Sequence, residues 1–113
     1  FGQGRMSVEE ILAKLDTKVA PRLLLTHSPA MFEQLPFEAP RFDLSLAGHT
    51  HGGQIRFGPF APLVPPGSGR FVKGFYDTRA GRAYVSRGTG TSLVPARFLC
   101  RPELPVFRLR ARR

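Results

Sequence analysis

Residues 44–54 read Leu44-Ser45-Leu46-Ala47-Gly48-His49-Thr50-His51-Gly52-Gly53-Gln54, an apolar run that stops at a glycine and is followed by two histidines. The third histidine of the chain, His27, follows a similar run at residues 22–26. Short, leucine-rich runs are typical of buried strands, so residues 22–26 and 42–47 are predicted as strands. Every imidazole of the protein is therefore expected just beyond a strand end.

The segment between these two strands has the composition of a short helix. Ser28 is suited to an N-cap and Pro29 to the first helical position, which predicts a helix over about residues 29–35. A strand, a helix and a second strand in this spacing are typically parallel. Parallel strands end at the same edge of a sheet, where ligand sites of α/β folds lie. The loops of His27 and of His49 and His51 are therefore predicted to converge.

The remaining sequence predicts a small α/β domain with a mixed sheet and short helices. A capping box, Ser7 with Glu10, predicts a helix over about residues 7–15. Residues 56–70 hold four prolines and three glycines and are predicted to form a long irregular loop. Residues 71–78 and 82–87 are predicted as a hairpin, and the alternation at residues 105–110 predicts a final strand.

Charge and cysteine content suggest partners and a compartment. The net charge of +9 would attract phosphate-bearing partners, although a solvated basic surface is the favoured explanation. Basic residues do not alternate with stacking aromatics, so no specific nucleic-acid site is predicted. The lone Cys100 suits a reducing compartment and is predicted to be a buried apolar side chain. We therefore expect a cytoplasmic location, with peripheral membrane association as an option.

Histidine pairs in this spacing suggest metal chemistry. Imidazole is the commonest protein ligand of metal ions. If residues 49–51 were extended, His49 and His51 would project from one face and reach one ion or two neighbouring ions. Gly48 would allow a sharp exit from the strand, and Gly52-Gly53 a tight turn beneath the site. Zn²⁺, Mn²⁺ and Fe all accept such imidazole ligands together with carboxylates.

Four segments in order resemble the C-terminal part of calcineurin-like metallophosphoesterases. Gly48-His49-Thr50-His51-Gly52-Gly53-Gln54 resembles the last metal motif of the subgroup that ends in Gly-Gly-Gln, which includes bacterial phosphodiesterases and membrane-surface pyrophosphohydrolases. The segments Leu24-Leu25-Thr26-His27-Ser28-Pro29, Tyr84-Val85-Ser86-Arg87-Gly88-Thr89-Gly90 and Arg101-Pro102-Glu103-Leu104 resemble its neighbours in that subgroup. The resemblance implies an α/β/β/α sandwich, of which residues 1–113 would be the C-terminal half.

The same resemblance implies specific roles. Two divalent ions (Mn, Fe or Zn) would share a hydroxide that attacks the phosphorus of a phosphodiester or pyrophosphate. His27 and His49 would bind the same ion, and His51 the other. The loop at residues 88–91 and nearby arginines would face the substrate, with no substrate-binding residue assigned. That substrate would be a phosphate ester, with a lipid or a membrane surface as an optional partner.

The chain lacks the family's earlier Asp-x-His, bridging-Asp and Asn-His-Asp motifs, since only Asp16 and Asp43 precede His49. Three neutral imidazoles offset the repulsion of two cations poorly, so the chain alone is predicted to be weak or inactive. Its half-core would be exposed and could drive self-association. Two alternatives stay open, a non-catalytic metal- or phosphate-binding module and a basic domain for nucleic acid or membrane surfaces.

Overall fold

A computed structural model describes residues 7–62 and 64–110. Its elements are α1 (Val8–Ala13), β1 (Leu23–Thr26), α2 (Met31–Gln34), β2 (Phe42–Ala47), a 3₁₀ turn (His51–Gly53), β3 (Gly74–Thr78) and β4 (Gly81–Val85). The strands form one mixed sheet in the order β1-β2-β4-β3, with β1, β2 and β4 parallel and β3 antiparallel to β4. The predicted α/β class with a mixed sheet and short helices is confirmed.

The register of the parallel strands determines where their loops emerge. Thr26 of β1 pairs with Ala47 of β2, and Ala47 pairs with Val85 of β4. All three strands therefore end level at one edge, which we call the histidine edge. Three segments directly follow these strand ends: His27, the loop of His49 and His51, and residues 86–90. The predicted parallel pairing and convergence of the histidine loops are confirmed.

The core lies on one face of the sheet. Phe32 of α2 and Phe71 are fully buried there with ring centroids 5.6 Å apart, and Phe42, Ala83 and Val85 pack beside them. Phe71 directly follows the irregular segment 56–70, in which the described residues form no helix or strand longer than an isolated bridge. The predicted long loop is therefore confirmed, and its far end is fixed in the core.

The opposite, outer face of the sheet differs from the sequence prediction. Leu23 and Leu25 of β1 are 41% and 72% exposed, so the expectation of a fully buried strand is wrong here. β1 lies at the edge of the sheet, and the described residues cover only its inner face. The predicted strand at residues 105–110 is also absent from the described structure. Instead, the Phe107 ring packs on Tyr84 and Phe75 of the hairpin, at 5.2 and 6.5 Å between centroids.

The helices follow their predicted caps in one case and not in the other. Ser7 caps α1 through the complete capping box with Glu10. Ser28 does not cap α2, which begins two residues later than predicted, with Ala30 at its N-cap. The Ser28 hydroxyl donates to the Gly67 carbonyl of the long loop instead. That bond leaves the serine unable to cap a helix, and it links the His27 loop to the long loop.

Candidate metal centre

Two of the three predicted ligands lie side by side at the histidine edge. The imidazole rings of His27 and His49 have centroids 4.5 Å apart and are inclined by 56°. His27 follows β1 directly, and His49 follows β2 after Gly48. Neighbouring parallel strands thus bring together two side chains that are distant in sequence. The predicted meeting of these histidines is observed.

The backbone between His49 and His51 is not extended, so that part of the sequence prediction is wrong. His49 and His51 have φ of 68° and 48°, whereas Thr50 between them is right-handed helical, with φ −72°. Positive φ is uncommon for residues other than glycine and marks local strain, which is frequent at functional sites. The two imidazoles are therefore presented by a tight alternating turn.

Thr50 holds this turn in place from within. Its side chain is fully buried, and its hydroxyl donates to the Val72 carbonyl at 2.5 Å while accepting from the Gly52 amide at 3.2 Å. A buried hydroxyl with both partners satisfied fixes the backbone conformation around it. The sequence analysis missed this role, for which the only signal was a small polar residue between two histidines.

Gly52 makes the close approach that the sequence predicted. An added Cβ there would lie 2.6 Å from both the Arg87 side chain and the Cys100 sulfur, and φ is +63°. Gly48 has no comparable requirement, because an added Cβ would meet nothing within 4 Å. Cys100 is 2% exposed, as predicted, and its thiol lies against the carbonyls of His51 and Gly52.

Hydrogen bonds to carbonyls determine which ring nitrogens are available. His49 Nε2 lies 2.8 Å from the Pro66 carbonyl, and His51 Nδ1 lies 3.4 Å from that of Gly90. A carbonyl only accepts, so each of these nitrogens must carry the proton. In a neutral ring, Nδ1 of His49 and Nε2 of His51 then keep their lone pairs. Donation of one N–H to a backbone carbonyl is the usual arrangement of a metal-binding histidine.

Arg97 is a second residue that the sequence analysis did not single out. Its guanidinium donates to a set of backbone carbonyls around the histidine edge, namely those of His51, Arg87, Gly88, Gly90 and Cys100. The planar, multiply donating guanidinium is suited to such a role, which an ammonium could not fill. No sequence pattern distinguishes it among the 17 basic residues.

Glu103 closes the same region with a partly buried ion pair. Its carboxylate accepts from Arg87 Nε and Nη2 at 2.9 and 2.7 Å, from the Arg87 amide at 2.8 Å and from the Tyr84 hydroxyl at 3.0 Å. Burial alone would raise the pKa of Glu103, but these bonds outweigh it and hold the pKa below its usual value. Burial and the bond to Glu103 raise the pKa of Tyr84.

The described residues supply only part of a metal site. No group of three or more His, Cys, Asp or Glu side chains that could hold an ion occurs among them. Asp43 lies at the opposite edge of the sheet, where its carboxylate accepts from the Arg22 amide at 2.7 Å. The donor set at the histidine edge therefore consists of imidazoles, which fit a borderline divalent ion but leave its charge uncompensated.

These features define an α/β fold with a cluster of histidines at the carboxyl ends of parallel strands. No family model and no solved structure matches the chain. Curated relatives do match it. They include "Uncharacterized metallophosphoesterase YkuE" of Bacillus subtilis, 34% identical over 96% of this chain and 37% of the relative, and "Phosphodiesterase YaeI" of Escherichia coli, 41% identical over 79% of this chain and 32% of the relative.

A third curated relative also matches the chain. "Transmembrane protein with metallophosphoesterase domain" of Danio rerio is 35% identical over 88% of this chain and 22% of the relative. The chain thus spans between 22% and 37% of the length of the three relatives. Together these similarities support the metallophosphoesterase family for this chain. Within the described residues, no helix is both long and apolar enough to cross a bilayer.

Proposed function

We propose that the chain is the C-terminal half of a metallophosphoesterase domain that hydrolyses a phosphodiester or pyrophosphate. The observation that carries this proposal is the pairing of the His27 and His49 rings, 4.5 Å apart, at the carboxyl edge of parallel strands. In the proposal these two histidines bind one divalent ion and His51 binds a second. The similarity to proteins named metallophosphoesterase and phosphodiesterase supports the same reaction class.

The protonation pattern of the rings supports these roles. His49 would bind through Nδ1 and His51 through Nε2, since their other nitrogens donate to carbonyls. Two divalent ions (Mn, Fe or Zn) supply Lewis-acid chemistry in such sites, by polarising phosphoryl oxygens and lowering the pKa of water. The chain's own residues orient the imidazoles, since Thr50 fixes the turn and Pro66 fixes the His49 ring.

The proposed metal site also needs carboxylate ligands, which the histidine edge does not supply. We place them in a preceding half-domain that carries the Asp-x-His, bridging-Asp and Asn-His-Asp motifs. Residues 1–113 alone then bind metal weakly and turn over slowly or not at all. The proposed substrate is a phosphate ester, and the proposed location is the cytoplasm. A membrane surface is one source of such an ester. We also propose that the chain belongs to the subgroup whose last metal motif ends in Gly-Gly-Gln.

A metal-dependent hydrolysis assay tests this function. The substrate is bis(p-nitrophenyl) phosphate with Mn²⁺, and the proteins are residues 1–113 and a longer protein that also carries the aspartate motifs. We expect hydrolysis by the longer protein, its loss with a chelator, and a drop of at least about a hundredfold in His49→Asn. Asparagine tolerates the positive φ of this position, so the change removes the imidazole with little strain.

Leu104→Asn, at an exposed leucine that is not a proposed ligand, is the matched control and should retain the rate. Hydrolysis that is absent, or that survives His49→Asn, contradicts the proposal. Stoichiometric metal binding without turnover would favour a non-catalytic metal-binding module. Binding to nucleic acid or anionic vesicles that weakens with salt and ignores chelators would favour a basic interaction domain.

A further inference from the structure

A cavity of about 350 Å³ opens beside His51 and is not used by the proposed reaction. Its walls are largely apolar: they include three of the four prolines of the long loop and two aliphatic side chains, namely Pro62, Pro65, Pro66, Val64 and Leu93. The carbonyl of Pro66 also accepts the hydrogen bond from His49. One wall of the cavity is therefore continuous with the histidine pair.

Leu93 is the most unusual residue of this wall. Its side chain is 96% exposed and its φ is +63°, a conformation that leucine rarely adopts. Its position is nevertheless fixed on both sides. The buried Gln54 side chain accepts from the Ser92 amide at 2.6 Å and donates to the Val94 carbonyl. The fold thus holds an apolar side chain in water at the edge of the cavity.

The charges around the cavity favour a ligand that carries a negative group beside this apolar wall. Residues 48–73 and 86–101, which form both sides of the histidine edge, contain no aspartate or glutamate and several arginines. Glu103, the acidic residue that follows, is neutralised by Arg87. A ligand with a negative phosphoryl group at the histidines and an apolar group in the cavity would match both features.

We propose that this cavity binds an apolar alkyl or aryl substituent of the phosphate ester, with Leu93 as a specificity-determining contact. The proposal rests on the proposed function, because it assumes that the phosphoryl group lies at the histidine pair. It narrows the substrate to phosphoesters that carry a lipid-like or aromatic group next to phosphorus. Purely polar esters would leave the proline-lined wall in contact with water.

Two diesters that differ only in one substituent test this inference in the longer, Mn²⁺-loaded protein. Methyl p-nitrophenyl phosphate and hexyl p-nitrophenyl phosphate share their leaving group. Because each buried methylene favours transfer from water, we expect kcat/KM for the hexyl ester to exceed that for the methyl ester by at least about tenfold. In Leu93→Asn this ratio should fall to about threefold or less, because the loss falls mainly on the hexyl ester.

Leu99→Asn is the matched control. Leu99 also has positive φ, +51°, and is 69% exposed, but it is not among the residues that line the cavity. Both substitutions place an asparagine in a left-handed conformation, so they change backbone strain alike. Only Leu93→Asn should lower the hexyl preference. A ratio near one in the unchanged protein, or an equal effect of the two variants, overturns the proposal.

A binding measurement separates this inference from the reaction itself. Titration of the Mn²⁺-loaded protein with hexylphosphonate and methylphosphonate should give at least about tenfold tighter binding of the hexyl compound, lost in Leu93→Asn. Hexyl preference in binding without hydrolysis would refute the proposed function and leave the cavity assignment standing. Hydrolysis of both diesters without any hexyl preference would refute the cavity assignment alone.

Discussion

The His27 and His49 rings lie 4.5 Å apart because β1 and β2 are parallel, in register, and end at the same edge. If the two imidazoles bind one ion, removing either should lower Mn²⁺ affinity at that site by at least about tenfold. The double variant His27→Asn/His49→Asn should have an Mn²⁺ affinity little lower than that of either single variant, because each single substitution already disrupts binding of the shared ion. Calorimetric titration with Mn²⁺ measures the affinity of all three variants in the longer protein. Additive losses in the double variant would show that the two residues act on separate ions.

Thr50 should control the presentation of the histidines rather than the reaction. Thr50→Val keeps the side-chain volume but removes the hydroxyl, which leaves the Gly52 amide and the Val72 carbonyl without this partner. We expect a loss of about 1–3 kcal/mol in the free energy of unfolding and weaker metal binding. Thr50→Ser, which retains the hydroxyl, should restore most of the metal affinity. Denaturant unfolding and metal titration of both variants measure the two effects, and equal affinities in Val and Ser would contradict the assigned role.

Arg97 should be irreplaceable by lysine. An ammonium cannot reach the carbonyls of His51, Arg87 and Gly90 together, so Arg97→Lys leaves several of them unsatisfied. We expect destabilisation of about 1–3 kcal/mol and faster amide exchange in residues 86–100. Arg101→Lys, at an exposed arginine nearby, is the control and should change neither. Unchanged exchange in Arg97→Lys would refute the bracing role.

The Glu103 ion pair predicts a specific pH dependence of stability. Its pKa is lowered in the folded protein, so the carboxylate stabilises the fold above its ordinary, unfolded pKa. This contribution is lost as the pH falls through the lower, folded pKa. Glu103→Gln should therefore cost about 1–3 kcal/mol at pH 7, with the difference shrinking below about pH 4. Unfolding free energies of both proteins across pH 2–8 measure this, and a difference independent of pH would be the contrary result.

The outer face of the sheet should make residues 1–113 associate when they stand alone. Leu25 is 72% exposed beside Leu23, and Phe75 is 54% exposed across the sheet. Apolar surface of this kind promotes contact between copies. We expect concentration-dependent sedimentation that Leu25→Lys reduces, while the longer protein remains monomeric under the same conditions. A monomer at high concentration in the unmodified chain would show that this face needs no cover.

Local patterns in the sequence were sufficient for much of the fold. The Ser7–Glu10 capping box, the two leucine-rich strands and the glycine turn of the hairpin each fix a conformation through neighbours in sequence. The prediction was wrong where a distant contact competes with a local preference. Ser28 bonds Gly67 instead of capping α2, and Phe107 packs on Tyr84 instead of extending a strand.

The site was predictable only in part for the same reason. Two histidines at neighbouring parallel strand ends follow from the β-α-β spacing alone. The left-handed φ of His49 and His51 depends on the buried Thr50 hydroxyl and on Gly52 packing against Cys100, which only the folded chain brings together. Arg97 lies in the same category, since its partners come from three separate segments, at residues 51, 87–90 and 100.

The central claim is that His27 and His49 hold one divalent ion. The most direct measurement is a crystal structure of the longer protein with Zn²⁺, in which anomalous scattering locates the metal. We predict a peak about 2.0–2.1 Å from one imidazole nitrogen of each residue, with Nδ1 as the His49 ligand, and a second peak at Nε2 of His51. A fully loaded protein whose ions all lie away from the His27–His49 pair would contradict the account.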